Sequence, residues 1–305
     1  MTIPAEMRRK PPPSTLAWVE RAVGPGSRVV RVRRLRNAWA AVMHAVDVEG
    51  AGARHRLVLR RWARIDIPPE IGAVENEAAV LGLLDGSRVP SPRLVAADAR
   101  GDLADVPAVL MTRVPGRDTL SPRDLDTMLA GLAETLHLIH AVDVPPGILN
   151  YYRPWGLDTV LDPPVWSRRP DVWARAIEIA NEPVPAHTRV LCHRDFHPGN
   201  VLWRRGRVSG IVDWTAACRG PAAADLAHCR SNLALLFGQS VADNFARRYG
   251  VVPDLAWHDI ADVVSMGEES PEAWRWHDAG RTDITVDRII DARDDFLAQA
   301  VTRLG

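Results

Sequence analysis

The spacing of apolar residues changes once along this chain, and that change limits the folds open to it. Between residues 28 and 62 the stretches "RVVRVRRL", "AAVMHAVDV" and "HRLVLRRW" alternate and are rich in Val and Leu, with the turn-like "RNAWA" and "EGAGAR" between them. A period of two places successive side chains on opposite faces, the pattern of strands. "AVENEAAVLGLLDG" then reads as a helix stopped near Gly86, "RVPSPRLVAAD" as a connection, and "VPAVLMTRVPG" as a strand ended by Pro115 and Gly116. Three strands, a helix and a further strand make a small α+β unit. Beyond it the period lengthens to three and four. "SPRDLDTMLAGLAETLHLIHAV", with Ser121 as its expected cap, reads as a helix, as do "AAADLAHCRSNLALLFG" and segments near 255–267 and 284–303. The stretch 148–188 reads as loop-rich, and two short strands flank "RRGR".

A chain of 305 residues is long enough for two cores. The expected division is a leader over 1–27, ending in the short helix "STLAWVERAV" capped by Ser14, then a β-rich lobe over 28–113 and a helical lobe over 114–305. The change near 114–117 marks the expected hinge.

Lys plus Arg and Asp plus Glu both number 38, so the net charge is zero and a nucleic-acid partner is not expected. Cys192, Cys218 and Cys229 form no CxxC pair, which suits structural thiols in a reducing compartment. The N-terminal "MTIPAEMRRKPPPSTLAWVERAV" has no apolar signal-peptide core, and no apolar run approaches the roughly 18 residues of a membrane span. The expectation is a cytoplasmic protein with no membrane partner.

The densest chemistry lies in "HRDFHPGNVLWRRGRVSGIVDW", residues 193–214. His193, Asp195, Asn200 and Asp213 follow one another as His-x-Asp, an Asn five residues on, and an Asp ending an apolar strand. Phosphoryl transfer from a nucleotide needs such a set. One carboxylate orients the acceptor hydroxyl and takes its proton; an amide oxygen and a second carboxylate hold Mg2+ against the phosphates. Asp195 fits the first role, Asn200 and Asp213 the second. His193, Asp195 and His197 also alternate as zinc or iron ligands can on a strand. That reading makes the chain a metallohydrolase, but Pro198 and Gly199 break the strand, and Asn200 and Asp213 are left without roles. A plain polar turn is the third reading, and His193 itself reads as a hydrogen-bonding support of the loop.

"HRDFHPGNVLW", "GIVDW" and "GPAAADLAH" together resemble the aminoglycoside phosphotransferase family, relatives of the choline kinases within the protein-kinase-like fold. The resemblance runs from about residue 28 to the C-terminal helix. It implies a bilobal α+β fold, with a small β-rich N-lobe that binds the nucleotide and a larger, mainly helical C-lobe. It implies a Mg2+-dependent O-phosphotransferase that takes ATP or GTP as donor and a small-molecule hydroxyl as acceptor. Arg194 stands where the family usually has Gly, a change that keeps the His, Asp and Asn. By the same resemblance, Arg60 in "LVLRRW" should meet the α- and β-phosphates and pair with Glu77, for which Glu75 is the rival. Main-chain groups of Met111, Thr112 and Arg113 should meet the purine, and Asp225 should support the catalytic loop from behind. The phosphate-covering turn "LRNAWAAV" lacks glycine, so the amides of Asn37 and Ala38 would approach a phosphate less freely.

The acceptor side of this family corresponds to a region with Trp155, Trp166, Trp173, Trp257, Trp274 and Trp276 and the acidic "WHDIADVVSMGEESPEAW". Asp259, Asp262, Glu268 and Glu269, with Trp257 and Trp274, could hold an amine-bearing or sugar-like molecule. An aminoglycoside-type or other antibiotic acceptor comes first, and a metabolic amino alcohol or sugar second. A non-catalytic nucleotide-binding module of the same fold is the alternative from another class.

Overall fold

The structure is a computed structural model that describes residues 7–35, 41–50, 52–62, 72–155, 162–267 and 270–304. It divides into two compact units, one of Met1–Pro115 with Gly210–Ala216, the other of Gly116–Ser209 with Ala217–Gly305.

The first unit is a five-stranded antiparallel sheet of β1 (Arg28–Arg34), β2 (Ala41–Gly50), β3 (Ala53–Trp62), β4 (Leu94–Asp98) and β5 (Ala108–Thr112), ordered β1-β2-β3-β5-β4. Helices α1 (Pro13–Val23) and α2 (Ala73–Leu84) complete it. The central β3 is buried on both faces from Leu57 onward, and alternation decides what each face does. Leu57 and Leu59 pack with Trp18 and Val19 of α1 and with Val46, Val48 and Leu110. Arg61 shares that parity and binds Asp105 at 2.6 Å, which also accepts from Thr15 at 2.6 Å. Arg60 takes the other face.

Two details differ from the sequence reading. "RVPSPRLVAAD" contains a strand, β4, because its backbone pairs with β5 from Leu94 to Asp98; the prolines before it hide that ladder. Helix α1 begins at Pro13 with Pro12 as its N-cap and no side-chain cap, so Ser14 lies inside the first turn.

The second unit contains α3 (Leu125–His140), α4 (Pro170–Ala180), β6 (Val190–Cys192), a 3₁₀ turn (Pro198–Asn200), β7 (Val201–Arg204), β8 (Arg207–Ile211), β9 (Cys218–Gly220), α5 (Ala222–Phe237), α6 (Gln239–Tyr249), α7 (Leu255–Ser265), α8 (Trp274–Asp278) and α9 (Val286–Leu304). The last two residues of β8 belong to the first unit. Most of α5 is buried, with α6, α7 and α9 packed around it. Arg281 and Arg288 donate to the carbonyls of Leu235 and Leu236 at its end, where helical partial charge is negative. Helix α3 is capped by Asp124, whose carboxylate accepts from the Thr127 amide and hydroxyl, rather than by Ser121. Within the loop-rich stretch 148–188 lies α4, which buries Trp173, Ala176 and Ile177. Among the described residues no helix is long and apolar enough to cross a membrane, and the three cysteines are buried free thiols.

Candidate active site

Strand β6 delivers His193, Arg194 and Asp195 to the mouth of α5. Asp225, in the first turn of α5, accepts from the His193 amide at 2.8 Å with one oxygen and from the Arg194 amide at 2.7 Å with the other. His140 adds a contact at 3.1 Å and is itself held by the Tyr249 hydroxyl at 2.7 Å. Burial alone would raise the Asp225 carboxyl, but the His140 and His193 contacts outweigh it and lower it. One buried carboxylate therefore fixes two consecutive amides of the loop.

That grip explains the unusual Arg194. Its backbone is left-handed, at φ 74°, a conformation natural to glycine that costs a side-chain-bearing residue on the order of 1–2 kcal/mol. The guanidinium offsets this locally. It donates to the Arg153 carbonyl at 2.8 Å and lies over the rings of Tyr152 and Trp155, at 4.4 and 4.3 Å. His193 and His197 serve the backbone as well. His193 Nδ1 accepts from the Asp195 amide at 3.3 Å, and His197 Nδ1 from the Gly199 amide at 3.1 Å. A Cβ at Gly199 would sit 2.6 Å from His197 Cε1, so a side chain there would push on the ring that holds this turn. The His193, Asp195, His197 metal reading loses its ligands to these bonds.

Asp195 is a fixed and partly open carboxylate. Asn200 Nδ2 donates to Asp195 Oδ2 at 2.8 Å and to its carbonyl at 2.9 Å. Both amide hydrogens are thus committed, which leaves Asn200 Oδ1 as the acceptor of that side chain. His228 Nε2 donates to Asp195 Oδ1 at 3.1 Å, with His197 Nε2 at 3.7 Å. Burial alone would raise the Asp195 carboxyl; the His228 hydrogen bond and the His197, His228 and His193 imidazoles hold it well below the usual carboxylate range. Sequence reading missed His228. The one available signal was its three-residue spacing from Asp225, which puts both on the same face of α5.

In the first unit, Arg60 bridges two carboxylates. Its Nη1 meets Glu77 Oε1 at 2.9 Å and its Nη2 meets Asp213 Oδ1 at 2.7 Å. Burial would lower the guanidinium, but Asp213 and Glu77 more than compensate and raise it. Glu77 is 1% exposed whereas Glu75, two residues along the helix, faces solvent. Asp213 is left-handed at φ 68°, accepts from the Thr215 hydroxyl at 2.9 Å, and its Oδ2 meets no hydrogen-bond donor among the described residues. Asp213 Oδ2 in the first unit and Asn200 Oδ1 in the second are each a hard oxygen of the kind that can ligate Mg2+.

The remaining expected residues are placed as follows. The Thr112 and Arg113 amides donate to the Arg93 and Arg56 carbonyls, and Met111 is buried in the sheet. Asn37, Ala38, Glu268 and Glu269 lie outside the described residues. Asp259 and Asp262 both turn toward α5. Asp259 is wholly buried against Arg230 at 3.1 Å, which leaves no exposed oxygen for a ligand. Burial outweighs Arg230 there and lifts the carboxyl to about 7. Asp262 binds His228 Nδ1 at 2.9 Å and the Ser231 hydroxyl at 2.6 Å. Trp257 is a core residue that donates to the Ile179 carbonyl at 3.2 Å, and Trp173 donates to Asp294 at 2.7 Å. Trp274 is 52% exposed and Trp155 41%, so these two rings are open to solvent.

A fixed carboxylate in a His-x-Asp loop and a strand arginine tied to a helix glutamate define a phosphoryl-transfer protein of the protein-kinase-like fold. The profile of the Phosphotransferase enzyme family matches residues 31–261, and the chain belongs to this family, that of the aminoglycoside phosphotransferases. It is a phosphotransferase whose acceptor is an alcohol group on a small molecule. Among solved structures, it is similar to a thermostable mutant of aminoglycoside phosphotransferase APH(4)-Ia in ternary complex with ADP and hygromycin B. The identity is 17%, the TM-score 0.60, and the match covers 94% of this chain and 98% of that one. Aminoglycoside-3'-phosphotransferase of type VIII matches at 24% identity and TM-score 0.54, over 82% and 99%. Macrolide 2'-phosphotransferase MphH from Brachybacterium faecium matches at 19% and 0.54, over 95% and 98%. These identities carry the fold. A comparison with curated proteins returned no match.

Proposed function

We propose that this protein transfers the γ-phosphate of ATP or GTP to a hydroxyl of an aminoglycoside-type or related antibiotic, with a metabolic amino alcohol or sugar as the second choice. The observation that carries this reading is the Asp195 carboxylate. It is held at both oxygens by Asn200 and His228 yet keeps about a third of its side chain open. A small-molecule hydroxyl entering there finds an anion that orients its O–H and receives its proton. The neighbours bound to ADP and hygromycin B, or acting on macrolides, support the nucleotide donor and the antibiotic acceptor by likeness of fold.

On the donor side, the reading gives Arg60 the α- and β-phosphates, with Glu77 fixing its orientation. Asn200 and Asp213 would hold Mg2+, which when bound supplies positive charge against the phosphoryl oxygens. The purine would meet carbonyls rather than amides of Met111, Thr112 and Arg113, since the Thr112 and Arg113 amides are committed to the sheet. The amides of Asn37 and Ala38 would cap the phosphates. The N-lobe of 28–113 takes the nucleotide and the C-lobe of 114–305 the acceptor. Trp274, Glu268 and Glu269 are the acceptor contacts of first choice, with Asp262, Asp259 and Trp257 shaping the wall behind. Three buried free thiols fit a cytoplasmic location.

The test is Asp195→Asn assayed with Mg·ATP and Mg·GTP against hygromycin B, other aminoglycosides, a macrolide and choline, read by mass spectrometry for an added phosphate. kcat should fall by about 10²–10⁴ with nucleotide affinity unchanged. Asp213→Ala should abolish magnesium-dependent nucleotide binding, and Asn200→Ala should raise the magnesium requirement. Near-parent turnover of folded Asp195→Asn defeats the assignment.

A further inference from the structure

We infer that His228, backed by Asp262, is a positioning residue that holds the Asp195 carboxylate in register for the acceptor hydroxyl. This rests on Asp195 being the acceptor-side base. The imidazole lies between two carboxylates, its Nδ1 2.9 Å from Asp262 Oδ1 and its Nε2 3.1 Å from Asp195 Oδ1. A carboxylate only accepts, so a ring with one at each nitrogen must carry two N–H bonds and be an imidazolium. Its surroundings agree. Burial would lower the imidazole, but Asp262 and Asp195 outweigh it and lift it to about 10.

The ring is held by a carboxylate at each nitrogen, and Asp262 is itself fixed, with the Ser231 hydroxyl 2.6 Å from its Oδ2. The Trp155 ring meets the His228 edge at 6.0 Å between centroids. With His228 on Oδ1 and Asn200 on Oδ2, the Asp195 carboxylate cannot rotate about its last bond without losing a charge-assisted hydrogen bond. Its remaining lone pairs keep one direction.

A cation behind a carboxylate weakens it as a base, and this is compatible with the chemistry. The transition state of phosphoryl transfer is loose, so the attacking hydroxyl keeps its proton until late. Orientation of the O–H then matters more than basicity. Asp195, Asp262 and His228 sum to one negative charge, enough to accept that proton when it is released.

The test compares His228→Gln, His228→Asn and His228→Ala beside Asp195→Asn. The glutamine amide nitrogen can replace Nε2 toward Asp195; asparagine is too short, and alanine offers no donor. Mg·ATP hydrolysis, with water as the acceptor probe, should stay within several-fold of the parent for Gln and drop by about 10- to 100-fold for Asn and Ala. The KM for ATP should be the same in all. Imidazole nitrogen NMR of the ¹⁵N-histidine-labelled full chain at pH 8 should show both His228 nitrogens protonated. A neutral His228 ring, or variants ranked by melting temperature rather than by donor, overturns the inference. Full turnover in Asp195→Asn would instead overturn the reading on which it rests.

Discussion

Each unit buries a cation between two carboxylates. Arg60 lies between Glu77 and Asp213 in the sheet unit, and His228 between Asp195 and Asp262 in the helical one. The arrangements match in charge and differ in permanence. A guanidinium stays ionised at any pH the fold survives, whereas an imidazolium exists because its neighbours keep it so. Electrostatics in the sheet unit is therefore fixed by residue type. In the helical unit it is fixed by contact, and a contact can be lost.

The largest expected effect comes from removing the permanent cation. Arg60→Ala strands the buried Glu77 and costs about 3–5 kcal/mol in urea unfolding, together with nucleotide affinity. Arg60→Lys should recover part of both, since a single ammonium cannot span two carboxylates as the planar fork does. An alanine variant as stable as the parent would break the comparison at its firmest point.

The conditional cation should show itself in the pH dependence of stability. His228 is lifted from 6.5 to about 10 by folding. Its contribution is then full below pH 6.5 and is lost as the pH rises through 10. Subtracting the unfolding free energies of His228→Gln from those of the parent should expose that decline. In Asp262→Asn the decline should move toward neutral pH, because one of the two flanking charges is gone. A parent-minus-variant difference that is flat from pH 6 to 10 would show that His228 is neutral in the fold.

The smallest effect concerns the loop that carries Asp195. Arg194→Ala keeps the left-handed strain and loses the contacts to Arg153, Tyr152 and Trp155, and should destabilise by about 1 kcal/mol. Arg194→Gly relieves the strain as well and should be about 1 kcal/mol more stable than Arg194→Ala. The gap between the two melting temperatures measures the backbone term alone.

Legibility followed how local each signal was. Strand alternation over 28–62 and the helix periods of 125–140 and 222–237 are local, and these elements stand where their patterns put them. Arg60 and Glu77 could be named through the family resemblance, which asks for one strand arginine and one helix glutamate, and burial separates Glu77 from its rival Glu75. His228 could not be named. Its role depends on Asp262 arriving from another helix, and nothing near residue 228 announces that approach. Helix α6 escaped although Val241, Phe245 and Tyr249 recur at four-residue spacing, because that stripe is short and set among polar residues. Asp259 and Asp262 stand in an acidic stretch, and nothing local to it shows that both carboxylates turn inward, to Arg230 and His228.

The segment Gly210–Ala216 belongs to the sheet unit although it follows the whole of 116–209 in the chain. It supplies Asp213 to Arg60, the Thr215 carbonyl to Asn76, and the fully buried Ile211 and Trp214. The cluster of Trp18, Val46, Leu57, Leu59 and Leu110 lies wholly before this segment, so during synthesis from the N-terminus it can form before residues 210–216 arrive. The unit is complete only when they do, after the helical unit's first segment has been made. Arg60 emerges early, beside Glu77, and waits longest for its second carboxylate.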